Sequence, residues 1–103
     1  MLVVRHIIHI KDGCQEKLVE ALKAHTKAPF PSPPHEWRIY TWGEASPWGI
    51  LIWEQEFESM AEKDAYSQEF QGTPGARELI ESTGGFVESR GSATEIWTVH
   101  HVR

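Results

Sequence analysis

The most constraining feature of this sequence is the order in which β-rich and helix-like segments follow one another. Four runs are rich in Val, Ile, Trp and other β-formers, at residues 2–11, 37–42, 50–57 and 95–103. A helical pattern fills residues 13–27 between the first two runs, and two more follow the third. The order β-α-β-β-α-β, with a short extra helix before the last strand, predicts an α+β, ferredoxin-like antiparallel sheet with its helices on one face.

Helix start and stop signals support this order in the second half of the chain. Ser59 and Glu62 have the spacing of a capping box, and the apolar stripe that follows ends at Gly72. Thr73 and Pro74 then suit the N-cap and the first position of a third helix, which should end before Gly84. We therefore expect two consecutive helices between strands three and four.

Length and charge narrow the class of protein. A chain of 103 residues suits one domain, over residues 1–103, whose small core would gain from burial against a partner. The formal net charge is −5 and no basic patch is evident, so a nucleic-acid partner is not expected. No apolar run approaches the roughly 20 residues of a membrane span, and the N-terminus does not resemble a signal peptide. We expect no membrane partner and a cytoplasmic location.

Several segments resemble the dimeric α/β-barrel superfamily, particularly its antibiotic-biosynthesis-monooxygenase-like and NIPSNAP-like branches. They are VVRHIIHIKDG at the first strand, GILIWEQEFES at the third and DAYSQEF on the following helix. The resemblance covers nearly the whole chain and implies a homodimer in which two sheets face each other as a barrel. It also implies a cleft between sheet and helices that takes a small apolar or aromatic ligand.

The chemistry of those branches can be compared with this chain residue by residue. Cofactor-independent quinone-forming members and haem-degrading members place an Asn, a Trp and often a His around the substrate, and this chain contains no Asn. The segment QGTPGARELIE also lacks the histidine of the haem-degrading branch. We expect no cofactor and leave open whether the protein is an enzyme. A cofactor-independent monooxygenase or isomerase is one expectation, and a noncatalytic dimerisation module with a filled cleft is the alternative.

Side-chain alternation along the strands predicts which residues lie on each face of the sheet. Phe57 should face the core together with Leu51, Trp53 and Gln55, which turns Glu54 to the opposite face. The same reasoning on the first strand puts Arg5, Ile7 and His9 on the face of Glu54. Arg5, His9 and Glu54 are therefore the candidate catalytic residues, since a histidine oriented by a carboxylate suits proton transfer. The competing interpretation is an ion-pair network across the dimer.

The aromatic residues and the histidines provide the remaining candidates. Five tryptophans in a chain of this length are enough to line a pocket for a flat ligand, and we select Trp42, Trp53 and Tyr66 as ligand-binding residues. Core or interface packing is the alternative role for each of them. Four histidines are expected on the first and last strands, His6 and His9 on one and His100 and His101 on the other, with at most one pair on each face. A carboxylate from Glu54 or Glu56 could complete a two-histidine metal site, but packing or hydrogen bonding is the favoured role, and we predict no metal.

Overall fold

The computed structural model describes residues 1–24, 33–41, 49–88, 92–100 and 102 of the chain. Within these ranges it contains four strands and three helices, in the predicted order. The strands are β1 (Leu2–His9), β2 (Trp37–Thr41), β3 (Ile50–Phe57) and β4 (Ala93–Thr98). The helices are α1 (Gln15–Ala24), α2 (Met60–Gln71) and α3 (Pro74–Thr83).

The four strands form one antiparallel sheet in the order β2-β3-β1-β4. The two central strands come from opposite halves of the chain, and Arg5 lies directly across from Glu54 in their register. The predicted α+β ferredoxin-like fold is confirmed for the protomer. The dimer and its barrel stay a prediction.

The core lies between one face of the sheet and the helices, and it contains two clusters. The larger cluster joins Leu18 and Leu22 of α1 to Leu51 and Trp53 of β3, and the smaller joins Val4, Phe57 and Tyr66. Leu51, Trp53, Gln55 and Phe57 are all buried on the helix side, as their alternation predicts. We call this side of the sheet the helix face and the other side the open face.

The start and end signals of α2 and α3 have the predicted positions. Ser59 is the N-cap of α2, and its side chain accepts a hydrogen bond of 3.2 Å from the backbone N–H of Glu62. The Glu62 carboxylate accepts the backbone N–H of Glu58 at 2.9 Å, so the reciprocal bond reaches one residue further back than in a capping box. Thr73 is the N-cap of α3, although its hydroxyl donates to the Phe70 carbonyl at 2.6 Å instead of capping the helix.

The ends of three elements differ from the predictions. The first strand, predicted to reach residue 11, ends at His9. The helical pattern predicted from residue 13 begins only at Gln15, because Gly13 takes a left-handed backbone conformation with φ of 76°. The predicted end of this helix at residues 25–27 lies outside the described residues. The last strand begins at Ala93, earlier than predicted, and ends at Thr98, so His100 follows the strand instead of lying within it.

None of the helices described here is long and apolar enough to cross a membrane.

Candidate functional site

The open face carries a buried carboxylate, Glu54, at the centre of a polar cluster. Its Oε1 accepts a hydrogen bond of 2.9 Å from Arg5 Nε, and its Oε2 accepts bonds from Tyr40 OH at 2.9 Å and from Arg38 Nη1 at 3.3 Å. Only 4% of Glu54 is exposed, although none of the three described helices covers this face. The side chains of its own neighbours therefore shield it from water.

Electrostatics keep this carboxylate charged. Burial by itself raises the pKa of Glu54, but hydrogen bonds from Tyr40, Arg5 and Arg38 outweigh burial and hold the pKa below its ordinary value. Arg38 also donates to Glu56 at 2.8 Å and to Glu36 at 2.6 Å, and these bonds raise its own pKa. The cluster is thus an ion-pair network centred on Glu54.

His9 does not join this cluster within one protomer. It lies on the open face as predicted, but it pairs with Ile50, four residues along β1 from Arg5. A strand advances about 3.3 Å per residue, which separates the two positions by about 13 Å, beyond the reach of the side chains. Within one protomer His9 therefore lies apart from Arg5 and Glu54, and the meeting of the three residues inside a dimeric barrel, with their catalytic roles, stays a prediction.

A second polar group lies on the helix face and is centred on His6. Its Nε2 is 2.9 Å from Gln55 Oε1 on β3, and its Nδ1 is 3.2 Å from Thr94 Oγ1 on β4. With an oxygen opposite Nε2, that nitrogen carries the ring proton and Nδ1 accepts the hydroxyl hydrogen of Thr94. The imidazole is thus held from both neighbouring strands.

The environment of His6 favours its neutral form. Burial lowers the pKa of the imidazole, the hydrogen bond with Gln55 opposes this, and the positive charge of Lys63 lowers the pKa further. The ring also packs on Trp53, with 5.5 Å between the ring centroids. At neutral pH His6 is therefore an uncharged hydrogen-bonding group in an aromatic setting.

Four aromatic side chains surround the space beside His6. Trp37 packs edge-on against Trp53 and Tyr66, with centroid distances of 5.0 and 5.8 Å, and Tyr66 stacks with Phe70 at 6.2 Å. Edge-to-face and offset contacts of this kind are the preferred aromatic geometries. They enclose a cavity of about 190 Å³ between the sheet and helices α2 and α3, which we call the aromatic cleft.

A second cavity adjoins the aromatic cleft on the side of β4. Its volume is about 380 Å³, and it shares His6, Trp53 and Leu79 with the first cavity. Its remaining wall comes from β1, α3, Val87 and the start of β4, through Ile7, Ile8, Ile80, Thr83, Val87, Ser92, Ala93 and Thr94. The three shared residues thus separate two spaces on one face of the sheet.

The predicted ligand-binding residues have different outcomes. Trp53 and Tyr66 both line the aromatic cleft, and burial, followed by the charge of Glu69, raises the pKa of Tyr66 to about 12. Trp42 lies outside the described residues. Whether Trp53 and Tyr66 bind a ligand stays a prediction, but they lie where such a ligand would have to bind.

His6 and Gln55 are the polar residues of the cleft that sequence reasoning did not select. A signal was present, because strand alternation places His6 with Val4 and Ile8 on the helix face. The prediction selected His9 as the candidate histidine because it shares the open face with Glu54.

The histidines do not gather as expected from the strand order. Thr94, not a histidine, lies across from His6, and His100 follows β4 beyond the end of β1. His101 lies outside the described residues. In the part of the chain that the structure describes, no group of three or more potential ligands could hold a metal ion.

Solved structures with this fold come from two groups of proteins. A NIPSNAP family protein of unknown function from Agrobacterium tumefaciens has a TM-score of 0.74 at 13% sequence identity, covering 94% of this chain and 86% of that chain. A NIPSNAP-like domain protein from Burkholderia xenovorans has a TM-score of 0.72 at 10% identity, covering 96% and 84%. A Caulobacter crescentus protein, provisionally described as an antibiotic biosynthesis monooxygenase, has a TM-score of 0.68 at 13% identity, covering 97% and 90%.

These similarities define the class of the chain by its fold. No protein-family model matches the sequence, and no curated protein matches it either. At identities of 10% to 13% the shared property is the fold. The protomer is a ferredoxin-like α+β domain of the kind found in NIPSNAP and antibiotic biosynthesis monooxygenase proteins, and the predicted resemblance is confirmed at that level.

Proposed function

We propose that this protein binds a small apolar or aromatic molecule in the aromatic cleft. The observation that carries the proposal is a space of about 190 Å³ bordered by Trp37, Trp53, Tyr66 and Phe70. An apolar cavity of about 150 Å³ is large enough for benzene, so this one suits a molecule of one or two fused rings. Aromatic walls with a few fixed polar groups are typical of small-molecule sites.

The catalytic form of this proposal is a cofactor-independent monooxygenase or isomerase. Its support is the likeness in fold to a protein provisionally described as an antibiotic biosynthesis monooxygenase, together with a neutral His6 beside the cleft. The unprotonated ring nitrogen, Nδ1, is the atom that would accept a proton, by way of the Thr94 hydroxyl that now bonds to it. The absence of asparagine from the chain weighs against the oxygenase and leaves the isomerase as the stronger of the two.

The alternative function, a noncatalytic dimerisation module, requires that the protein's own side chains fill the cleft. The cavity beside Tyr66 argues against a filled cleft. Ligand binding is therefore the function that the geometry supports better.

Blocking the cleft tests this proposal. Ser67 of α2 lines the cavity, so the Ser67→Phe variant should place a ring in it, whereas Ser82→Phe adds the same ring at an exposed position on α3. We expect calorimetric titration with 2-isopropylnaphthalene to show one site per protomer in the natural protein and in Ser82→Phe. Ser67→Phe should lose this binding. Equal binding by all three proteins would place the ligand elsewhere, and no binding by any of them, either of this hydrocarbon or of its ketone and carboxylate analogues, would remove the proposal.

The proposed form of the protein is a homodimer in which the open faces of two protomers meet. Its support is the apolar surface that this face leaves uncovered: Trp97 is 53% exposed and Tyr40 43% exposed, next to Val3, Ile7 and Ile52. Exposed apolar surface of this kind is typical of an interaction site.

Variants at two neighbouring residues of β4 test the open face separately from the helix face. Trp97 is on the open face, whereas Ile96, 47% exposed, points to the helix face. Light scattering should give a dimer mass for the natural protein and for Ile96→Lys, and a lower mass for Trp97→Lys. A monomer at micromolar concentration would contradict the dimer.

A further inference from the structure

Two N–H donors border the aromatic cleft without hydrogen-bond partners. Gln55 is 8% exposed, and its Oε1 is occupied by His6, but its amide nitrogen has no partner among the described residues. The indole nitrogen of Trp37 is buried and also unpaired. A buried donor without a partner costs folding free energy, so the Trp37 indole calls for a compensating contact, whereas the Gln55 amide nitrogen is not among the buried unpaired atoms and stays accessible in the wall of the cavity.

These two donors are neighbours. Trp37 on β2 lies directly across from Gln55 on β3, and both side chains project to the helix face and line the same cavity. Side chains at directly opposed positions of an antiparallel pair are in contact range. An acceptor atom of a bound molecule could therefore reach N–H groups at this one place in the wall.

A chain of hydrogen bonds fixes the orientation of the Gln55 amide. Because Gln55 Oε1 can only accept, His6 Nε2 donates to it, and in the neutral ring Nδ1 then accepts from the Thr94 hydroxyl. Because the amide oxygen turns toward His6, the amide nitrogen turns away from it. Thr94 and His6 are thus positioning residues for the Gln55 donor.

The walls of the cleft carry no formal charge in the part of the chain described. The polar residues lining the cavity are His6, Gln55, Ser67 and Gln71, and no Asp, Glu, Lys or Arg is among the described lining residues of either cavity. Burying an ion without an opposite charge is unfavourable. The cleft therefore suits an uncharged molecule.

We propose that Gln55 determines specificity in this cleft, and that the ligand is an uncharged molecule with a hydrogen-bond acceptor, such as a carbonyl, an ether or a ring nitrogen, placed against the Gln55 amide. This inference rests on the proposed function, because it assumes that the cleft binds a ligand. It adds which polar group the ligand carries and which residue recognises it.

Three probes of nearly equal shape test the inference. 2-Acetylnaphthalene has a carbonyl acceptor, 2-isopropylnaphthalene replaces it with a methyl group, and 2-naphthoate replaces it with an anionic carboxylate. In calorimetric titrations of the natural protein, we expect the ketone to bind about 3- to 10-fold more tightly than the hydrocarbon, as one neutral hydrogen bond allows. We expect the carboxylate to bind at least about 10-fold more weakly than the ketone, because its charge has no partner.

A pair of glutamine variants assigns the preference to one residue. Gln55→Met removes the amide while keeping an unbranched side chain, and it should bring the ketone and the hydrocarbon to equal affinity. Gln68→Met makes the same change at an exposed residue of α2 that does not line the cavity, and it should keep the preference for the ketone. Circular dichroism checks that both variants fold.

A third variant acts through the hydrogen-bond chain. Thr94→Val removes the hydroxyl that bonds to His6 Nδ1, so the imidazole is held less firmly against the Gln55 amide oxygen and the preference for the ketone should decrease. Thr94 is exposed, which favours folding of this variant. If Gln55→Met does not fold, Thr94→Val decides the question alone.

The outcomes separate the inference from the function on which it rests. Equal affinities of ketone and hydrocarbon in the natural protein, or an unchanged preference in the folded Gln55 variant, overturn the role of Gln55 and leave the cleft as a binding site. Tighter binding of the carboxylate than of the ketone overturns the uncharged ligand. Failure of all three probes to bind overturns the proposed function itself.

Discussion

Replacing Glu54 with glutamine should destabilise the protein by about 2 kcal/mol. The glutamine amide keeps one acceptor oxygen where the carboxylate had two. Either Arg5, or Tyr40 together with Arg38, therefore loses its acceptor, and the bonds that remain are no longer to a charged group. Buried hydrogen bonds to charged groups contribute about 1.5–3 kcal/mol each. Because the Arg5 side chain is 42% exposed and Tyr40 is 43% exposed, water compensates in part and the low end applies.

Urea denaturation at neutral pH measures this loss. The free energy of unfolding should be followed by tryptophan fluorescence at several protein concentrations, since a dimer would add a concentration dependence. Tyr40→Phe removes one bond to the same carboxylate and should cost about 1 kcal/mol. In the double variant the two losses should not add, with a coupling of about 0.5 kcal/mol or more. Strictly additive losses would show that Tyr40 and Glu54 do not interact.

The pH dependence of the loss follows from the lowered pKa of Glu54. A carboxyl group whose pKa is lower in the folded state stabilises the protein above its unfolded pKa, near 4.5, and this contribution disappears as the pH falls through the folded value. The difference between the natural protein and Glu54→Gln should therefore narrow on acidification below about pH 4.5. A constant difference down to about pH 3, or no difference at neutral pH, would refute the reasoning.

Three further perturbations test the fold and the cleft. Leu51 is fully buried, so Leu51→Ala should lower the free energy of unfolding by about 2–5 kcal/mol in a urea titration. Gly49→Ala should also destabilise, because φ is 59° there and the added Cβ would lie 2.6 Å from the Ile10 carbonyl oxygen, whereas Gly85→Ala meets no atom within 4 Å and should change little. The lowered pKa of His6 predicts a contribution to the free energy of unfolding that is complete above pH 6.5 and is lost as the pH falls through the folded pKa. His6→Gln should remove this dependence, which urea titrations at several pH values would measure.

Local signals were sufficient to predict the fold. The Ser59 cap and the Thr73-Pro74 pair each act within a few residues, so their positions in the sequence carry over directly to the start of α2 and of α3. The alternation along β3 likewise placed Leu51 and Phe57 in the core. The end of β4 was harder to predict, since residues 99–103 have β-type composition but pairing with β1 ends near Met1.

The candidate site was predictable only in part, because register is a property of paired strands. Alternation correctly put Arg5 and Glu54 on one face, and the register then brought them into contact. His9 shares the face but pairs with Ile50, and no single-strand pattern contains that information. The charged residues of the open face favoured the prediction of His9, whereas His6 lies on the helix face together with core residues.

Glu54 and Gln55 belong to two separate polar groups on opposite faces of the sheet. They are adjacent in β3, and the alternation of side chains turns Glu54 to the open face and Gln55 to the aromatic cleft. Glu54 is held by Arg5 and Tyr40 on one side of the sheet, whereas Gln55 is held by His6 on the other, so their hydrogen bonds have no member in common. Substitution of Glu54 should therefore change stability and the proposed dimer face with little effect on ligand preference, and substitution of Gln55 should do the reverse. A ligand preference that followed Glu54 would mean that the sheet couples its two faces.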